Sequence, residues 1–329
     1  MPTARSPAAA TGWSSPLRSR APHRLVLAVA AALSAAALAG CGLGAGEKAG
    51  GTQLLVTEDF GARGLVQTDT PKTGGSDTVM RLLQRNAKKV ETRYGGGFVQ
   101  SIDGTAGGQR DGRPVDWFYY VNGSKAPKGA ASTRVRAGDR IWWDFHDWGA
   151  GETDAVVGQF PEPFVHGLEG RRLPTRVECI DPAAPECSTV ADALVSLDVP
   201  AAKGGLARSL VKETLRVIVG PWQAIRADAT AAQLERGPEK SGVYAKPAAD
   251  GKSLALLDGR GRVTRTLGPG AGLVAATTLD QNAPVWIVTG TDPAGIRAAA
   301  SVFDEGALAG RFAVAVDGGG RPIPLPDRR

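Results

Sequence analysis

The residues best suited to chemistry lie in Arg140-Ile-Trp-Trp-Asp-Phe-His-Asp-Trp148, where indoles are interleaved with carboxylates and an imidazole. Successive side chains of a strand point to opposite faces, so Ile141, Trp143 and Phe145 share one face and Trp142, Asp144, His146 and Trp148 the other. The first set reads as core. The second combines flat apolar rings with polar tips, as a half-exposed surface for a large, planar, amide-fringed ligand would. Trp117 and Tyr119 alternate with Phe118 and Tyr120, so one of these pairs can join that surface. The same aromatics would equally serve as a small core and its contact with a neighbouring domain, and both readings stay open here. Imidazole is a good axial ligand for a metal such as cobalt, which makes His146 and His166 candidates, though a polar strand residue beside Asp144 and Asp147 is the plainer reading of His146.

Other motifs point away from catalysis. Cys179 and Cys187 flank the Pro-containing loop 180–186, an even pair that predicts a disulfide stapling a surface loop. No metal site is expected, because neither a histidine nor a second cysteine pair lies at ligand spacing. The glycines at 95–97 and 104 lack the strand-to-helix setting and the lysine of a phosphate loop. Thr289-Gly-Thr-Asp292 opens a helix and is either an anion cradle or a self-capped terminus. No serine elbow, HExxH or cysteine partner for His166 is present. A non-enzymatic binding protein is therefore expected, with an extracytoplasmic enzyme sited in the second half as one alternative and a cell-envelope protein-interaction module as another.

The amino end sets the compartment. Arg18, Arg20 and Arg24 precede an apolar run, Leu25 to Ala37, too short for a stable membrane span. Leu38-Ala-Gly-Cys41 follows and resembles the bacterial lipobox, in which the cysteine becomes a lipidated amino terminus. Residues 1–40 thus read as a lipoprotein signal peptide and 41–52 as a tether that holds the protein to membrane lipid through Cys41, on the extracytoplasmic face of the cell membrane. The net charge of +6 shrinks once Arg5, Arg18, Arg20 and Arg24 are removed, leaving 35 basic against 33 acidic residues. That near-neutral balance, without a clustered basic stretch, excludes nucleic acid as the expected partner.

Residues 53–148 read as short strands around one helix: strands near 53–57, 90–94, 98–102, 115–121 and 140–146, a helix from Val79 capped by Ser76 or Asp77, and turns at Asp103-Gly104 and Asn122-Gly123. This is an α+β, β-grasp-like domain. Residues 149–163, rich in Gly and Pro, read as a hinge. Residues 164–329 alternate apolar strand runs such as Leu215 to Val219 and Val285 to Val288 with helices such as 292–303, an α/β sandwich domain.

Within the first of these domains, Gly97-Phe-Val-Gln-Ser-Ile-Asp-Gly104, Trp117-Phe-Tyr-Tyr-Val-Asn-Gly123, Gly129-Ala130 and Ala137-Gly-Asp-Arg-Ile-Trp142 together resemble the small transcobalamin-like C-terminal domain (DUF4430-type) of bacterial surface proteins. The resemblance implies a corrinoid (cobalamin) ligand, with this domain covering one face and another component holding the other. It implies an accessory to vitamin uptake whose partners are a vitamin importer or a second corrinoid-binding lipoprotein. The residues assigned to the ligand on this reading are Trp117, Tyr119, Trp142, His146 and Trp148.

Overall fold

The computed structural model describes residues 50–207, 213–280 and 282–328. Cys41 and the residues read as an export signal lie outside them. Among the described residues no helix is long and apolar enough to cross a membrane.

The fold is mixed α+β and is built from several sheets. The first half forms β1 (Gln53–Glu58), β2 (Arg63–Thr68), helix α1 (Val79–Asn86), β3 (Val90–Arg93), β4 (Phe98–Ile102), β5 (Thr105–Ala106), β6 (Gly108–Arg110), β7 (Arg113–Val121), β8 (Ser124–Lys125) and β9 (Arg140–Asp147). The main sheet runs β2-β1-β9-β7-β6 with β8 on β7, and β1 pairs with β9 in parallel. Helix α1 starts at Val79 as expected, but neither Ser76 nor Asp77 caps it. Thr78 is its cap and accepts from the Arg81 N–H, while Asp77 is buried and instead accepts from the Gly74 N–H and Arg85. Val79, Leu82 and Leu83 face Ile141, Trp143 and Phe145, the period-two core face of β9.

The second half forms β10 (Thr175–Cys179), α2 (Pro185–Val195), β11 (Ala201–Gly205), β12 (Leu215–Val219), β13 (Ala245–Pro247), β14 (Leu254–Leu257), β15 (Val263–Leu267), β16 (Gly272–Thr277), β17 (Val285–Gly290), α3 (Pro293–Ser301), β18 (Ala313–Val316) and β19 (Pro322–Leu325). Its seven-stranded sheet runs β11-β10-β12-β17-β16-β18-β19, with parallel strands at the β11 end and antiparallel strands from β16 on. Prolines at 322 and 324 fall on the edge strand β19, where a missing ladder N–H does no harm. Cys179 and Cys187 are joined by a disulfide that ties the end of β10 to the first turn of α2 beneath the exposed loop 180–186.

Residues 149–163 are not an exposed hinge. From Ala155 on the segment is buried: Ala155, Val157 and Phe160, with Phe164 just beyond it, join the core of the second half, and Val156 joins the cluster that both halves share. Gly and Pro signal irregular backbone but carry no information about depth, and here the apolar residues between them are drawn in. The two halves consequently share one core, in which Phe60, Tyr120 and Trp142 pack with Tyr244, Phe312 and Ala313.

Candidate functional site

The residues expected to form one aromatic surface are separated by the sheet. Tyr119 pairs with Trp143 and Trp117 with Phe145 across β7 and β9, which puts Trp117 and Tyr119 under α1, on the opposite face from Trp142 and His146. Register between two strands, which a single strand's alternation does not reveal, decides this. Trp148 lies beyond the end of β9, partly exposed, and its N–H donates to the Pro114 carbonyl.

Trp142 and His146 do share a face, with Phe118 and Tyr120, but the second half covers it. Phe312 meets Trp142 edge-on at 5.1 Å and His146 at 5.3 Å. The His146 ring is stacked between Phe60 and Phe118, at 4.5 and 4.7 Å, and is 1% exposed. Its Nδ1 lies 2.8 Å from Asp144 Oδ1, and Asp144 also accepts from the Phe60 and Gly61 N–H groups and from Thr57 Oγ1, which in turn accepts from Trp142 Nε1. A buried carboxylate with this many donors is a satisfied structural group. Two hydroxyls in the same layer, Tyr120 and Tyr244, lack partners, and burial pushes both phenols up. Among the described residues this face is buried beneath the second half rather than half-exposed.

Two ends of the sheet remain open. At the end where β9 finishes, a cleft of about 440 Å³ has Phe60 in its wall, with Arg110, Arg113, Arg260, Arg328 and Asp147 around it. Its charges largely cancel: Arg113 pairs with Asp147, and Arg110 lies 3.8 Å from Asp59.

At the other end, where β9 begins, the segments that carry the family motifs converge. Gly97 precedes Phe98, and Gly129 packs so tightly on the Gly97 carbonyl that a Cβ there would lie 3.2 Å from its oxygen. Asn122, in the left-handed region that an Asn-Gly turn requires, donates to Asp139 Oδ1 at 3.0 Å and to the Gly167 carbonyl at 2.8 Å, and accepts from the Arg140 N–H. Asp139 also accepts from the Arg136 N–H. Burial pushes the Asp139 carboxyl up, and these hydrogen bonds pull it back. Lys128 reaches Glu169 at 3.7 Å. Three loops, 94–98, 126–139 and 165–171, are thereby linked into one crown.

That crown presents what the covered face does not. Tyr94 is 85% exposed and meets Phe98, itself at the surface, edge-on at 6.2 Å on a glycine-rich turn. His166 is about half exposed, with Nδ1 2.5 Å from Glu162 Oε1 and its backbone N–H on Glu162 Oε2. Glu162 is buried, and that burial pushes its carboxyl up against the opposing pull of the His166 hydrogen bonds. Sequence reasoning passed over Tyr94 and Phe98. The run Tyr94-Gly-Gly-Gly-Phe98 was the available signal, because consecutive glycines disfavour regular structure and mark a tight turn between two rings.

The anion alternative at residues 289–292 is taken by the chain itself. Asp292 caps α3, accepting from the Gly295 N–H at 2.8 Å and the Gly270 N–H at 2.7 Å. Among the described residues no group of three His, Cys, Asp or Glu side chains could hold a metal ion.

Comparison with known proteins places one segment. Residues 76–147 match the family described as a domain of unknown function, DUF4430. The match runs from α1 to the end of β9 and leaves the seven-stranded sheet outside. No curated protein matches the chain.

Proposed function

We propose that this protein is a lipid-anchored extracytoplasmic binding protein, held through Cys41, that takes a corrinoid on its crown as an accessory to vitamin uptake. The observation that carries this reading is the exposed Tyr94 and Phe98 pair at the meeting point of the motif segments. An aromatic side chain left in water forgoes about 1.5–3 kcal/mol of burial, so a pair held out on a glycine turn is best explained by something that covers it. A planar ligand gains ring area from such a pair and hydrogen bonds from the polar groups of the neighbouring loops. Position agrees with the anchor. The Gly138 N–H donates to the Gly50 carbonyl, so the chain enters the fold at the crown. Nine residue-to-residue steps lead from Gly50 to Cys41, a covalent reach of at most about 32 Å. A lipidated Cys41 would keep the crown near the membrane, where an importer works and where tethering raises the effective concentration of partners.

The test is equilibrium dialysis of the purified full chain against cyanocobalamin. Retention at micromolar ligand, reduced at least tenfold by Tyr94→Ala and unchanged by Trp148→Ala, supports the reading; no retention contradicts it. A second reading, docking of another cell-envelope protein on the crown, is favoured by the 85% exposure of Tyr94. It predicts a co-purifying partner that Tyr94→Ala releases, with no corrinoid retained.

A further inference from the structure

At the end of β9 away from the crown, three turns and the last described residues of the chain meet around the cleft of about 440 Å³. The β1–β2 turn brings Phe60, the β6–β7 hairpin brings Arg110 and Asp111, the β14–β15 turn brings Asp258 and Arg260, and Arg328 follows β19. Both halves therefore contribute. Gly259 lies flush on the Phe60 ring, where a Cβ would fall 2.9 Å from Cε2. The volume falls within the range of small-molecule sites, about 300–1,000 Å³, and such sites concentrate where domains meet.

The arginines of this cleft divide by what they are bonded to. Arg113 is held on Asp147. Two further carboxylates of the lining are taken from behind, Asp258 by Arg262 at 2.6 and 2.8 Å and Asp327 by two nitrogens of Arg265 at 2.9 Å. Arg260 and Arg328 have no such partner among the described residues. Arg260 is exposed and bonds to Asp258 only through its backbone N–H. Arg328 is anchored by Nη2 to the Asp59 and Phe60 carbonyls, at 3.2 and 3.4 Å, which leaves its Nε and Nη1 donors unused. A carbonyl orients a guanidinium without cancelling its charge. Burial accordingly pulls the Arg328 pKa down although the residue still reaches solvent, and the negative charges of Asp59 and Asp144 restore only part of the loss. With Arg262 and Arg265 included, six guanidiniums face five carboxylates, and the two carboxylates without a close ion pair, Asp59 and Asp111, stand in solvent.

We propose that this cleft binds an oxyanion, the phosphate or carboxylate group of a small molecule, with Arg260 and Arg328 as its cations. Charge-assisted N–H···O bonds are about twice as strong as neutral ones, and a guanidinium matches the spacing of two oxyanion oxygens. Arg110, 3.8 Å from Asp59 and 5.0 Å above the Phe145 ring, adds a third and more loosely held cation. Phe60, Val115 and Pro326 supply apolar wall for the body that carries the anion. The eight residues of β9, at about 3.3 Å each, separate this site from the crown, so it does not depend on the corrinoid reading.

Thermal unfolding of the full chain in sodium phosphate and in sodium succinate, each against sodium chloride at equal ionic strength and neutral pH, tests this. The expected result is a saturable rise in Tm of about 2 °C or more, because an anion that binds only the folded chain stabilises it. A rise with phosphate alone assigns a phosphate-bearing ligand, and one with succinate alone a carboxylate. Phosphate also stabilises proteins generally by exclusion from their surface, but that effect depends on no particular arginine. Arg260→Gln and Arg328→Gln should each abolish the saturable rise or move it to at least tenfold higher concentration. Arg297→Gln, an exposed position on α3 outside the lining, should keep it. No saturable rise with either anion overturns the proposal. So does a rise that survives Arg260→Gln, a result that stands even if Arg328→Gln fails to fold.

Discussion

The covered face of β9 and the crown at its start use similar side chains to opposite ends. On the covered face, Trp142 and His146 pack against Phe312, Phe60 and Phe118, and Asp144 gathers donors from Thr57, Phe60 and Gly61. At the crown, Tyr94 and Phe98 meet edge-on at the surface, and His166 keeps its carboxylate partner while its side chain stays about half exposed. The difference teaches that aromatic and histidine content does not mark a binding surface. What matters is whether the chain itself supplies the cover, and here the second half does so for one region and not the other.

The comparison is broken most directly by removing a covered ring. Trp142→Ala should lower unfolding free energy by about 3–5 kcal/mol, because a fully buried indole is lost from a core that both halves share. Urea denaturation measures this, and a loss below about 1 kcal/mol would mean that the face is not packed as described. His146→Phe keeps the ring stack but deprives buried Asp144 of a donor. A loss of about 1–3 kcal/mol is expected from the same measurement.

A helix cap that belongs to neither region sets the scale for an ordinary polar contribution. Asp292→Ala should cost about 1 kcal/mol at neutral pH. Backbone N–H groups of Gly295 and Gly270 hold the Asp292 carboxyl below the usual carboxylate range. A depressed folded pKa means that the contribution is present above the unfolded value, about 4, and is lost as pH falls through the folded value. The difference between wild type and variant should therefore shrink in acid. A difference that grows in acid would contradict the cap.

The smallest effect on stability is expected at the crown. Tyr94→Ala should change unfolding free energy by no more than about 0.5 kcal/mol, since its ring is exposed. A large loss there would show that the crown is structural.

Much of the fold was legible in local pattern. Period two in 141–146 separated the core face of β9 from its opposite face, and Val79, Leu82 and Leu83 at one-face spacing marked the helix that covers the core side. The even cysteine pair gave the disulfide, and Asp292-Pro293 gave the start of α3. What stayed hidden was long-range. Placing Trp117 and Tyr119 required the register of β7 against β9, and placing Trp142 and His146 required knowing that Phe312, some 170 residues away, closes over them. Strands such as Ala313–Val316 and Pro322–Leu325 were missed because they are short, and the second carries prolines that only an edge tolerates. The site was partly legible: the motif glycines and Asn122 mark the crown, while the exposure of Tyr94 depends on a left-handed backbone at that residue, which its type does not announce.

Hydrogen exchange of the full chain with and without saturating cyanocobalamin tests the central claim, that the crown and not the aromatic face of β9 receives the ligand. The account predicts new protection confined to residues 94–98, 126–139 and 165–171, with β9 and the segment around Phe312 unchanged. Protection of residues 142–148 instead, or deprotection around Phe312 as the second half moves aside, would contradict it.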